Sequence, residues 1–118
     1  MPLSKVQRMS QFARKYGIKM HLDGARLWEA VAAGAGSLYE YGSCFDSVTT
    51  CFSKGVGAPI GSIIVGSKPF IRQTRWMRQA IRGTLRQAGV VSAAAKCAVD
   101  VNFGNGPSEE GNILYKTH

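Results

Sequence analysis

Phe52-Ser53-Lys54-Gly55-Val56-Gly57-Ala58-Pro59-Ile60-Gly61-Ser62 places one lysine at the mouth of a glycine-rich turn. The run before it, Ser47-Val48-Thr49-Thr50-Cys51-Phe52, is rich in β-branched residues and reads as a strand. The run after it, Gly61-Ser62-Ile63-Ile64-Val65-Gly66, reads as a second strand, too apolar to face water on both sides. The turn lacks the Gly-Lys-Ser/Thr ending of a P-loop, so a nucleotide-phosphate reading fails.

Working upstream, Leu3, Val6, Met9, Phe12, Ala13 and Tyr16 recur at helical spacing, and Gly17 follows as a C-cap. Ile18 to Leu22 then reads as a short strand that ends at Asp23-Gly24-Ala25-Arg26. A helix stepping into a strand in this way is the habit of parallel α/β sheets. Arg26 to Ala33 is predicted helical, and Ser37 caps a short turn through Tyr41. Downstream, residues 67–82 and 85–102 read as two helices, with Pro69 tolerated near the start of the first.

In open α/β sheets, ligands gather beyond the carboxyl ends of strands. Asp23 stands at such an end, and Lys54 lies just beyond another. Asp23 by itself reads first as an Asx turn with Gly24, and the plain reading of Arg26 is a solvated helix residue. An amine in a glycine-rich turn, a carboxylate at a strand end and an arginine three residues beyond that carboxylate point together to pyridoxal phosphate. That cofactor forms a Schiff base with a lysine and takes a carboxylate at its ring nitrogen. Gly55 and Gly57 would let the backbone approach the ring. His21 and Asp23 share a strand face, but two ligands without a third do not make a metal site, and no metal is expected. A hydrogen-bonded structural histidine is the simpler reading of His21.

The chain has 118 residues, 45% hydrophobic, which allows one domain with a real core. Cys44, Cys51 and Cys97 show no CxxC spacing, and an odd, sparse count suits a reducing compartment, read here as cytoplasmic. No apolar run is long enough to span a membrane. Met1 to Tyr16 holds Lys5, Arg8, Arg14 and Lys15 without an acid, as presequences do. A surface helix running straight into a strand is the preferred reading.

The net charge is +8 and unevenly placed. Between Asp46 and Asp100 there is no acid, while Lys54, Lys68, Arg72, Arg75, Arg78, Arg82, Arg86 and Lys96 are all basic. Six of these, from Lys68 to Arg86, would form one stripe if helical throughout. Such a stripe is an alternative function in itself, a nucleic-acid or anionic-membrane surface. It leaves Asp23, Arg26 and Lys54 unexplained, so neither nucleic acid nor membrane is taken as the partner.

In combination, Lys19-Met20-His21-Leu22-Asp23-Gly24-Ala25-Arg26-Leu27-Trp28, Phe45-Asp46-Ser47-Val48, Ser53 to Ser62, Val65-Gly66-Ser67 and Leu85-Arg86-Gln87-Ala88-Gly89 resemble the pyridoxal phosphate-dependent threonine aldolases, within the β-eliminating lyases of fold type I. The resemblance covers roughly residues 1–100. It implies a three-layer α/β fragment of a transferase-like large domain, its sheet mostly parallel, from strands at 18–22, 47–52 and 61–65. Residues 1–103 would be part of the cofactor-binding domain and 104–118 an irregular tail, beyond where the resemblance ends near Val101.

The resemblance also implies roles. Asp23 pairs with the pyridine nitrogen, Arg26 contacts the ring's 3-oxygen, Lys54 is the Schiff-base lysine, and Arg86 reaches a cofactor site across a subunit boundary. The implied reaction is retro-aldol cleavage of a β-hydroxy amino acid, threonine or allo-threonine, to glycine and acetaldehyde. The implied assembly is a homodimer or homotetramer. Family members are about three times this length. They carry N-terminal phosphate-binding glycines, a ring-stacking histidine and a small C-terminal domain that this chain lacks. The expectation is therefore half an active site, inactive alone, on a chain that is marginally stable or aggregation-prone without a partner. A non-catalytic remnant is a further alternative.

Overall fold

The computed structural model describes residues 1–104. Eight elements follow one another: α1 (Leu3–Lys15), β1 (His21–Gly24), α2 (Leu27–Ala32), α3 (Leu38–Ser43), β2 (Ser47–Cys51), β3 (Ser62–Gly66), α4 (Lys68–Ala80) and α5 (Gly89–Asn102). The expected tail at 104–118 lies outside the described residues from 105 onward.

The strands form one sheet in the order β1-β2-β3. His21 pairs with Ser47 and Asp23 with Thr49 in a parallel ladder. Ser47 pairs with Gly66 and Cys51 with Ser62 in an antiparallel one. The sheet is thus mixed, where a mostly parallel one was expected. The reason lies in the Lys54 turn. It folds back on itself, with the Phe52 N–H donating to Gly61 O at 2.9 Å, so the chain returns alongside β2. A parallel β2–β3 pairing would require a crossover of a dozen or more residues.

Strand β1 begins at His21, three residues later than its sequence suggests. Asp46 accounts for the shift. Its Oδ2 accepts from the Met20 N–H at 2.9 Å, and its own N–H donates to Met20 O. Its Oδ1 also pairs with Lys19 at 2.8 Å. These contacts hold the Asp46 carboxyl below its ordinary range, chiefly through the Lys19 hydrogen bond.

Side chains alternate across a sheet, so Leu22, Val48 and Val65 point to one face and His21, Ser47 and Thr49 to the other. The first face carries the core. Val6 of α1, Leu27 of α2, Tyr41 of α3, Cys44 and Val48 are buried together, with Leu3, Leu22, Val31, Leu38 and Phe45 packed around them. Helix α1 belongs to this core through Val6, as an integrated helix does. Ser37 closes a capping box with Glu40 that starts α3, the Ser37 hydroxyl accepting from the Glu40 N–H. Helix α4 covers part of the second face, where Phe70 packs over Gly66.

The C-terminal elements are less enclosed. Strand β3 is an edge strand of this sheet, and four of its five residues are exposed, although its sequence reads as buried. Helix α4 buries no residue. The basic stripe is not one helical face. Lys68, Arg72, Arg75 and Arg78 lie on α4, Arg82 takes a left-handed turn at φ 57°, and Arg86 falls in the α4–α5 connection. Helix α5 starts at Gly89 rather than at Leu85, after a turn at 86–87.

Candidate functional site

The parallel pairing of β1 with β2 brings both carboxyl ends to one edge of the sheet. Asp23 occupies the end of β1, and its Oδ1 accepts from the Ala25 N–H at 3.3 Å. This Asx turn swings the chain into α2, whose N-cap is Arg26. Lys54 lies three residues beyond the end of β2, in the loop that follows it. Asp23, Arg26 and Lys54 are all exposed, and none forms an ion pair among the described residues.

The loop that carries Lys54 is tightly held. Lys54 O accepts from the Gly57 N–H at 2.8 Å, and Phe52 O accepts from the Ala58 N–H at 2.9 Å. Gly57 takes φ +80°, a left-handed conformation that suits glycine. Val56 is fully buried. Two distant side chains reach in. Glu29 of α2 accepts from the Gly55 N–H through Oε1 at 2.8 Å. Asn102 of α5 donates from Nδ2 to Val56 O at 2.7 Å. Trp28 stacks edge-on against Phe103 at 4.8 Å between ring centres, which docks the end of α5 beside the same helix.

Because Glu29 is one turn beyond Arg26, its bond to Gly55 places the start of α2 against the Lys54 loop. Asp23 and Arg26 at the end of β1 and Lys54 beyond the end of β2 therefore lie on the carboxyl side of the parallel pair. Arg86 does not join them through any hydrogen bond or ion pair among the described residues. It stands in the exposed α4–α5 connection.

The polar face next to this edge is internally satisfied. His21 Nδ1 lies 2.9 Å from Ser47 Oγ, and Nε2 lies 3.3 Å from Thr49 Oγ1. Both ring nitrogens are engaged by hydroxyls of β2, so His21 bridges the two strands. Cys51 Sγ lies 3.1 Å from Ser53 Oγ. The Ser53 hydroxyl and N–H hold the Cys51 thiol below its ordinary range, and the Lys54 charge acts in the same direction. Partial burial and the Glu29 carboxylate oppose them.

Sequence reasoning missed Glu29 and Asn102 as supports of the lysine loop. Glu29 had a signal available, an acid one helical turn after Arg26. Asn102 had none, since it is 46 residues from the carbonyl it holds. A cavity of about 860 Å³ opens on the apolar side of the sheet, beneath α5. It includes neither Asp23 nor Lys54, and its lining is mostly aliphatic and aromatic.

Comparisons with known proteins agree on one family. The beta-eliminating lyase pattern matches residues 1–108. "Aldolase vrtJ" of Penicillium aethiopicum is 61% identical over all 118 residues, which are 29% of its own length. "Alanine racemase TOXG" of Cochliobolus carbonum is 46% identical over 99% of this chain and 30% of its own. The low-specificity L-threonine aldolase of Candida albicans is 47% identical over 86% of this chain and 27% of its own. The similarity to the Penicillium protein runs past Val101, where the sequence reading had ended it. A candidate L-allo-threonine aldolase from Listeria monocytogenes superposes with a TM-score of 0.83 at 26% identity, over 98% of this chain and 30% of that one. The chain thus spans less than a third of the relatives it matches. By the pattern over residues 1–108 and these relatives together, the chain belongs to the beta-eliminating lyase family.

Proposed function

We propose that this chain carries the lysine half of a pyridoxal phosphate site, in a lyase of the threonine aldolase type. One observation carries the reading: an amine, a carboxylate and a guanidinium, none tied up in an ion pair among the described residues, share the carboxyl edge of β1 and β2. The donor set fits the cofactor. Asp23 would hold a proton at the ring nitrogen, Arg26 would donate to the ring oxygen, and Lys54 Nζ would take the aldehyde. Arg86 would meet an anionic group at a subunit boundary.

When bound, the cofactor supplies an electron-withdrawing ring that weakens the bonds at an amino acid's α-carbon. The chain supplies orientation and charge. Asp23 would offer its carboxylate to the ring nitrogen, which would favour the protonated ring. Lys54 would hold the cofactor through its amine, and that amine, when free, could hold or return a proton beside a β-hydroxy amino acid such as threonine. The held loop fixes the backbone that carries Lys54. Assembly into a homodimer or homotetramer and a cytoplasmic setting complete the reading. It places nucleic acid and membrane outside the function, and no helix among the described residues is long and apolar enough to cross a membrane.

The test is reconstitution of the chain with pyridoxal phosphate, followed by its visible absorption. The expected result is a protein-bound band that Lys54→Ala abolishes. Equal bands in the two proteins would remove Lys54 from the reading. The chain alone is expected to release little or no acetaldehyde from threonine, because it spans less than a third of its relatives. One observation favours testing a second reaction beside the aldol cleavage: a relative 46% identical over 99% of the chain is named an alanine racemase. Loss of alanine's optical rotation without threonine cleavage, in a complex completed by the remaining domains, would favour that chemistry.

A further inference from the structure

We propose that Glu29 is the positioning residue of Lys54, the clamp that sets where its amine stands relative to Asp23. The inference rests on the cofactor reading above and assigns a role that the reading does not contain. Three observations carry it. Glu29 Oε1 accepts from the Gly55 N–H at 2.8 Å, one residue from Lys54. Its other oxygen, Oε2, is buried without a hydrogen-bond partner among the described residues. The loop backbone also lies so close that a Cβ on Gly55 would come within 2.6 Å of Glu29 Cγ.

A partly buried carboxylate with an orphaned oxygen is an unfavourable way to hold a loop merely for stability. An uncharged side chain would avoid that cost. What the carboxylate adds is a charge-assisted bond one residue from Lys54 and a negative charge in the amine's neighbourhood. The Cys51 thiol feels both groups, lowered by Lys54 and raised by Glu29, which places the two charges in one neighbourhood. Glu29 also sits one turn beyond Arg26, on the helix that Asp23's turn launches. One side chain thus ties the loop bearing the amine to the segment bearing the acid. Asn102 holds the following residue, so the loop is gripped at two successive positions.

The test compares wild type with Glu29→Ala, Glu29→Asp and Glu29→Gln in the full chain. Each is incubated with pyridoxal phosphate, reduced with borohydride and mapped by mass spectrometry. Amide exchange at Gly55 is followed in parallel without cofactor. In wild type the label is expected to concentrate on Lys54 over the other lysines. Glu29→Ala should cut that preference about tenfold or more and speed Gly55 exchange comparably, as loss of a hydrogen bond to a charged group implies. Glu29→Asp, one methylene short, should fall between. Glu29→Gln keeps an acceptor and should restore slow Gly55 exchange, while recovering only part of the Lys54 preference, because the charge is gone. That split is one a purely structural role would not produce.

Unchanged labelling and exchange in Glu29→Ala would overturn the clamp. Equal and complete rescue of both readouts by Glu29→Gln would reduce Glu29 to a structural support and overturn its positioning role. Should Glu29→Ala not fold, the Asp and Gln variants decide by the same two readouts. Absence of Lys54 preference in wild type would sink the cofactor reading, and the clamp as a positioning device with it. Gly55 exchange would then still report whether the bond itself exists.

Discussion

The buried core cluster is built wholly from residues before the Lys54 loop, whereas few apolar side chains after it are buried. Val6 is 2% exposed and Val48 4%, while Trp76 is 67%, Ile81 73% and Val90 81% exposed. The difference is not one of composition, since both regions are rich in aliphatic residues. It is one of available partners. Helices α1, α2 and α3 close on one face of β1 and β2 and exclude water from it. Helix α5 is moored at its C-terminal end by Asn102 and Phe103, and the cavity beneath it stays open. Among the described residues, β3 and α4 find too little surface to cover theirs. An apolar surface left so exposed is the mark of an interaction site or an aggregation hazard. The lysine loop lies at the seam between these regions, held by one side chain from each.

The sharpest way to break this comparison is Leu27→Ala. It removes a buried side chain from the closed region and is expected to cost about 2–5 kcal/mol, enough to unfold a small domain. Urea denaturation followed by circular dichroism measures it. Next comes Gly55→Ala, which drives a Cβ into Glu29. It should cost about 1–3 kcal/mol by overpacking and should also lower cofactor uptake. Thermal melts with and without pyridoxal phosphate separate the two effects.

Ser37→Ala removes the capping box at α3 and should cost about 1 kcal/mol, read from the same denaturation curves. The contribution of Glu40 to that box depends on pH. The Ser37 N–H and hydroxyl hold the Glu40 carboxyl below its ordinary range. A carboxyl depressed in the folded state stabilises above its unfolded pKa, and that stabilisation is lost as pH falls through the folded one. The wild type should therefore lose stability on acidification below about pH 4, and Ser37→Ala should lose less of it. The smallest effect is expected from Ile81→Ala, within about 0.5 kcal/mol on stability because the side chain is already in water. It should instead reduce self-association in sedimentation. A large loss of stability there would show that α4 is packed in solution and would erase the contrast between the halves.

Much of the layout is legible in the sequence. The apolar spacing of Leu3, Val6 and Ala13 gives α1, and Gly17 ends it at φ +68°. The β-branched run at 47–51 gives β2, and Ser67 with Pro69 marks the start of α4. Asp23 ends β1 and Lys54 follows β2 by three residues, as the strand-like runs before them suggest. The start of β1 was not legible, because Asp46 reaches back 26 residues to hold Met20 outside the ladder. Nor was the exposure of β3, because Ser-Ile-Ile-Val-Gly reads the same in a covered and in an uncovered strand. The basic stripe dissolved at Arg82, where the helix ends and the backbone turns left-handed.

Periodicity, β-branching and caps act within a few residues, so the sequence by itself determined which segments are helix, which are strand, and which chemical groups sit at their ends. Tertiary structure alone decided that Glu29 and Asn102 grip the lysine loop, and that one half closes while the other stays open. The two grips rest on contacts between residues 26 or 46 apart, whose partners no local preference can name. They appear only when the chain has closed on itself and each buried N–H and C=O has found its partner.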